Sequence, residues 1–199
     1  MAALSTKVKL LNAALGTMRA KGYSATSVDD LCVQAGVTKG AFFHHFKTKE
    51  DLGVEAASYW SATTSWFFAA APYQTIVDPF ERLLGYVDFR KEILRGALPE
   101  FTCFVGTMVQ ETFETHPALR EACGHSIRAQ AESLEPMIEA AVKSRNLTPD
   151  WTARSLALHT QAVIQGAFIL AKASNSADLA IESVTHLRRY LVLLFQPQP

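Results

Sequence analysis

The side chains best placed to do chemistry in this 199-residue chain are crowded between Thr26 and Leu52, TSVDDLCVQAGVTKGAFFHHFKTKEDL. Lys39, His44, Lys47 and Lys49 can carry positive charge, Ser27 and Thr38 carry hydroxyls, and Gly40 and Ala41 leave the backbone between them nearly bare. Ammonium groups, hydroxyls and the first amides of a helix all hold phosphate oxygens. A slim basic helix also fits the major groove of DNA, which is about 12 Å wide. The chemistry on offer is capture of a polyanion rather than the making of bonds. The chain has no Ser/His/Asp order, Gly-rich phosphate loop, HExxH or nucleophile elbow, so no enzyme is expected. Its three cysteines, Cys32, Cys103 and Cys123, are odd in number and far apart, which argues against a disulfide framework. No Cys/His set has zinc-ligand spacing, so neither metal nor cofactor is expected.

Two short helices and a tight turn would position those residues. Thr26 or Ser27 can cap the first helix, with Asp29 or Asp30 three residues on to complete a capping box. Leu31, Cys32 and Ala35 give it a small apolar stripe, and Gly36 ends it. Thr38 caps the second helix, with Phe42, Phe43 and Phe46 as its apolar body. Thr48 and Asp51 form another capping box and open a long helix from Lys49 to about Ala71. Upstream, residues 4–21 show Val8, Leu11, Leu15 and Met18 on one helical face, with Gly22 as the stop.

Charge supports this organisation. The chain has no net charge, yet residues 1–50 hold Lys7, Lys9, Arg19, Lys21, Lys39, Lys47 and Lys49 against Asp29, Asp30 and Glu50. A head with a surplus of four positive charges on an equally acidic body suits nucleic acid at one end only. We expect a head over residues 1–50 and a helical body over 51–199. At 49% hydrophobic residues there is ample material for a core. No signal-peptide pattern and no membrane-length apolar run is present, which points to a soluble cytoplasmic protein without a membrane partner.

The stretch GVTKGAFFHHFKTKEDL resembles the helix-turn-helix signature of TetR-type transcriptional regulators, and the match extends from about Lys7 to Ala57. The resemblance implies an all-α fold of about nine helices, palindromic double-stranded operator DNA, a homodimer and a small-molecule effector. It also implies phosphate contacts from Ser27 and Thr38, base-edge contacts from Lys39, Gly40, Ala41 and Phe42, a phosphate or base contact from His44, and backbone contacts from Lys47 and Lys49. Two positions depart from the family pattern. Phe43 stands where a phosphate-binding tyrosine is common, and Asp29 stands where a basic residue is common.

The body reads as helices throughout. Asp78-Pro79 starts one to about Arg95, with Gly96 closing it; residues 96–101 read as a turn, and a helix follows over about 102–115. Pro117 opens a long element to about Ser144 that Pro136 must kink or divide. Thr148-Pro149 starts a helix to about Lys172, another covers about 177–195, and 196–199 are a short tail. The last two helices are apolar over wide arcs. That pattern fits packing within one subunit or a two-fold interface between subunits, and the resemblance implies the second.

Aromatic residues with interleaved polar groups also suit a pocket for a small, largely apolar or aromatic effector, or simply a helical core. The expected lining is Trp66, Phe67, Tyr86, Phe89, Cys103, Phe104, Glu111, His159 and Phe168. Thr102–Glu111 is similar to a segment of one branch of the family in which some members sense electrophiles through a cysteine. A redox or electrophile sensor acting through Cys103 is therefore the alternative reading.

Overall fold

The computed structural model describes residues 4–196; residues 1–3 and the tail at 197–199 lie outside them. The described residues are helical throughout, with no strand: α1 (Thr6–Lys21), α2 (Val28–Ala35), α3 (Lys39–His45), α4 (Lys49–Ala69), a 3₁₀ turn at Pro72–Thr75, α5 (Pro79–Glu92), α6 (Leu98–Phe101), α7 (Phe104–Thr112), α8 (Pro117–Glu132), α9 (Glu135–Ser144), α10 (Ala153–Ser174) and α11 (Asp178–Leu194). The all-α expectation holds. The helix count rises for two reasons. Pro136, in the first turn of α9, divides the long element into α8 and α9. Leu98–Phe101, expected as a turn, winds into one helical turn.

Two compact units emerge. The first comprises the described residues through Thr64 together with Thr102–Ile127. Its core joins Leu10, Leu11, Ala14, Met18, Leu31, Phe42, Phe46 and Leu52 to Phe104, Met108, Leu119 and Cys123. Three short helices bury too little surface to stand alone, and α7 with the start of α8 supplies the missing apolar wall. On α1 the buried arc is wider than the expected face, taking in Leu10, Ala13 and Ala14 and leaving Val8 only half-buried.

The second unit comprises Ser65–Phe101 and the described residues from Arg128 onward. Within it α5 packs on α9 and α11, and α10 packs on α11. Arg188 Nε donates to Asp88 Oδ2 at 2.9 Å, tying α11 to α5. The start of α10 differs from expectation. Thr152, not Thr148, is the cap, in a reciprocal box with Ser155. Its end is a left-handed Asn175 rather than a glycine.

Candidate nucleic-acid interface

The α2–turn–α3 unit is built by its caps. Ser27 Oγ accepts from Asp30 N at 3.1 Å while Asp30 Oδ2 accepts from Ser27 N at 2.8 Å, which settles the capping box on this pair. Thr26 instead donates its hydroxyl to Gly22 O at 2.6 Å. Gly36 takes φ 63°, ψ 41°, and Val37 N then reaches Cys32 O at 3.0 Å to close α2. Thr38 Oγ1 accepts from Ala41 N at 3.2 Å and starts α3. Thr48 and Asp51 exchange two bonds of 3.0 Å and start α4.

Within α3, Lys39, Gly40, Phe43, His44 and His45 are exposed, as are Thr38 before it and Lys47 after it. A β-carbon on Gly40 would meet only the Thr38 hydroxyl, at 3.9 Å, so another molecule's backbone can come close here. Phe42 corrects one expectation. Its ring is fully buried against Phe43 and Phe46, so it anchors α3 and cannot reach a base edge. Phe43, read from the sequence as part of the apolar body, is instead half exposed beside the candidate contact residues.

The cations of the head divide sharply. Lys7 pairs with Glu55, Lys21 with Asp30 at 2.9 Å, and Lys39 with Asp29 at 2.9 Å. The Lys21 ammonium and the Ser27 groups hold the Asp30 carboxyl far below the usual carboxylate range. The hydrogen bond to Asp29 raises the Lys39 ammonium. Arg19 donates to Leu15 O at 2.8 Å and lies 5.0 Å from the Trp60 ring.

Lys49 turns inward instead of towards solvent. Its ammonium donates to Tyr23 O at 2.9 Å and Thr26 O at 2.8 Å and sits 4.1 Å over the Tyr23 ring. Burial lowers its pKa, with the charge of Glu111 opposing. Lys49 therefore pins the α1–α2 loop from inside. Of the seven head cations this leaves Lys9 and Lys47 without an acidic or carbonyl partner among the described residues. Lys9 was not picked out from the sequence as a contact. It joins Thr38 and Lys39 around a shallow depression formed by α1, α2 and α3, and only the long-range packing of α1 puts it there.

Glu111, expected as a ligand residue, serves the head. Its carboxylate accepts from Tyr23 N at 3.1 Å and Ser24 N at 3.0 Å. Gly22, at φ 87°, makes room for it; a β-carbon there would collide with the carboxylate.

The other expected ligand residues do not gather in one place. Cys103 and Phe104 belong to the first unit. Phe104 is fully buried core beside Trp60, and Cys103 caps α7, its Sγ accepting from Gly106 N at 3.3 Å. In the second unit Trp66 is 74% exposed, and His159 is an exposed ring against Tyr190. Phe168 is buried on α10.

Phe67, Tyr86 and Phe89 do come together with Phe68 and Tyr73, and the guanidinium of Arg90 lies over the Phe68 and Tyr86 rings of this cluster. A second polar feature of this unit is Gln161, whose buried Nε2 has no hydrogen-bond partner among the described residues. A cleft of about 440 Å³ opens elsewhere, lined by the 145–151 loop, Leu194 and Gln196, and none of the expected ligand residues borders it. Among the described residues no group of three or more His, Cys, Asp or Glu could hold a metal, and no helix is long and apolar enough to cross a membrane.

Comparison with known proteins agrees with this geometry. Residues 10–56 match the family model of bacterial regulatory proteins, tetR family. Residues 79–187 match the tetracyclin repressor-like C-terminal domain. The chain is 28% identical over 155 residues to the HTH-type transcriptional regulator CymR of Pseudomonas putida, covering 74% of this chain and 70% of that protein. It is 35% identical over 85 residues to the HTH-type transcriptional repressor KstR2 of Mycobacterium tuberculosis, 41% of this chain and 40% of that one. A TetR-family regulator from Agrobacterium tumefaciens superposes with a TM-score of 0.82 at 20% identity, covering 93% of this chain and 96% of that chain, a likeness of fold.

Proposed function

Since this chain belongs to the TetR family, and so is a DNA-binding regulator of transcription, we propose that it is a cytoplasmic repressor acting as a homodimer on a palindromic operator and released by a small apolar or aromatic effector. The observation that carries the DNA reading is α3 itself. It is a short helix capped by Thr38, rooted by buried Phe42 and braced by α2, with Lys39, Gly40 and His44 exposed and exposed Lys47 just past its end. In this reading Thr38 and Lys47 meet phosphates, and Lys39, Gly40, Ala41 and His44 meet base edges. Ser27 contributes through its helix-end amides, because its side chain is spent on the cap. Lys49 acts indirectly, by holding the loop that sets the angle of α2.

A single head covers few base pairs, so a second copy is needed for useful affinity. Leu158, Ile169 and Leu170 on α10, and Leu179, Tyr190 and Leu193 on α11, remain exposed and support a subunit interface there. The same chain segment α4 contributes to both units. Effector binding to the second unit is thereby coupled to the head, and about 1–3 kcal/mol of coupling would lower operator affinity roughly 5–150-fold. Repression is favoured over activation by the similarity to a repressor. The redox alternative through Cys103 finds no support: the thiol is a helix cap, and its neighbour Cys123 is buried, which pushes that thiol up to about 12. Fluorescence anisotropy on an operator recovered by selection, with light scattering for subunit number, tests the proposal. A dimer whose binding is weakened by an apolar ligand supports it, and a monomer indifferent to duplex sequence refutes it.

A further inference from the structure

We propose that Arg90 is an anion-binding residue, so that the effector is a carboxylate on an apolar body, gripped end-on by the guanidinium above a floor of aromatic rings. This rests on reading the second unit as an effector body and specifies the chemistry of its ligand.

Arg90 sits in the last turn of α5, where a cation commonly serves the helix end. Its geometry does something else. Nε donates to the Tyr86 hydroxyl at 2.8 Å, and the guanidinium carbon lies 4.1 Å from the Phe68 ring and 5.2 Å from the Tyr86 ring. Tyr73 closes the floor, 5.6 Å from Tyr86 and 5.8 Å from Phe89. The tyrosine hydroxyls are themselves held, Tyr73 Oη donating to Phe68 O at 3.2 Å. The plane of the guanidinium is thus fixed in advance, which lowers the entropy cost of a ligand bond.

What remains is the outer pair of nitrogens, Nη1 and Nη2. Neither has an acceptor among the described residues, and neither is sealed from solvent. Among the described residues no carboxylate neutralises the group. Asp88, two residues earlier on α5, is occupied by Arg188 at 2.9 Å and Lys91 at 3.8 Å, and Glu92 is exposed with no ion pair among the described residues. An uncompensated, half-buried guanidinium presenting two parallel N–H donors is matched by the two oxygens of a carboxylate. One free positive charge suits a monoanion. A phosphate would call for a second cation, and Lys91 is already paired. Phe67, 43% exposed and 5.3 Å from Phe89, extends the apolar surface on which the body of the ligand would rest.

The test uses the full-length protein and three acid–amide pairs: benzoate, phenylacetate and octanoate against benzamide, phenylacetamide and octanamide, titrated calorimetrically. We expect at least one acid to bind about tenfold or more tighter than its amide. Arg90→Gln should erase that preference and Arg90→Lys should keep part of it, with thermal melts checking that both fold. If Arg90→Gln does not fold, the wild-type acid–amide ratio decides alone. Equal affinity for acid and amide, no binding by any of the six, or a preference that survives Arg90→Gln overturns the proposal. Operator binding measured in parallel separates the two readings. Acid binding through Arg90 without change in operator affinity supports the anion site and sinks effector control. Operator release by amides as readily as by acids sinks the anion site and leaves effector control standing.

Discussion

The link between Glu111 and the α1–α2 loop gives a prediction that can be worked through. In Glu111→Ala the amides of Tyr23 and Ser24 lose their acceptor. Bonds to a charged group contribute about 1.5–3 kcal/mol each when protected. Glu111 is exposed and the Ser24 bond lies at the surface, so the pair should contribute roughly 1–2 kcal/mol in total. For a chain of this size about 2–4 °C of Tm follows each kcal/mol, so a fall of roughly 2–8 °C is expected by calorimetry. Gly22→Ala should cost more. Its positive φ of 87° adds about 1–2 kcal/mol, and the new methyl displaces the same carboxylate. The double variant should therefore lose less than the sum of the two single losses, by about 1 kcal/mol, because the Glu111 bonds can be lost only once. Strict additivity, or a Glu111→Ala melting curve superimposable on wild type, would refute the reasoning.

Three further outcomes follow from the head and body. Lys47→Ala should weaken operator binding several-fold with Tm unchanged, whereas Lys49→Ala should lower Tm, since its ammonium holds Tyr23 O and Thr26 O; anisotropy and melting on both variants check this. Asp30 has its pKa depressed in the folded head relative to the ordinary 3.8. The stability it contributes is present above that value and is lost as pH falls below it, so Asp30→Asn should flatten the fall of Tm in acid. Gln161→Leu should raise Tm in the absence of ligand, because a buried amide without a partner costs about 1–3 kcal/mol; no gain on melting would mean the amide is satisfied in solution.

Local chemistry was legible in the sequence because a cap needs only four consecutive residues. Thr38, the Thr48–Asp51 box, Asp78-Pro79 and the stops at Gly22 and Gly36 all stand where their spacing put them. Division at Pro136 was legible for the same reason. Features set by distant packing were not. Nothing near Lys49 in sequence indicates that it reaches back 26 residues to the Tyr23 carbonyl. The burial of Phe42 but not Phe43 depends on which side of α3 faces α1 and α2. The two were adjacent aromatics with equal claims until the core was in place. The expected ligand set failed as a set because aromatic composition says which residues are apolar, not which unit they join. Phe104 and Glu111 belong to the unit that holds the head. Arg90 gave no sequence signal beyond a basic residue near a helix end, and its role depends on the rings it lies across.

The central claim is that α3, carried on a paired scaffold, reads a double helix. Selection of random duplexes with the full-length protein at moderate salt, followed by footprinting of the enriched sequence, tests it most directly. The account predicts an inverted repeat whose two protected half-sites lie about one helical turn or a multiple apart, with protection lost in Lys39→Ala and Lys47→Ala combined. Enrichment of no sequence over competitor, or protection unaffected by that pair, would contradict it.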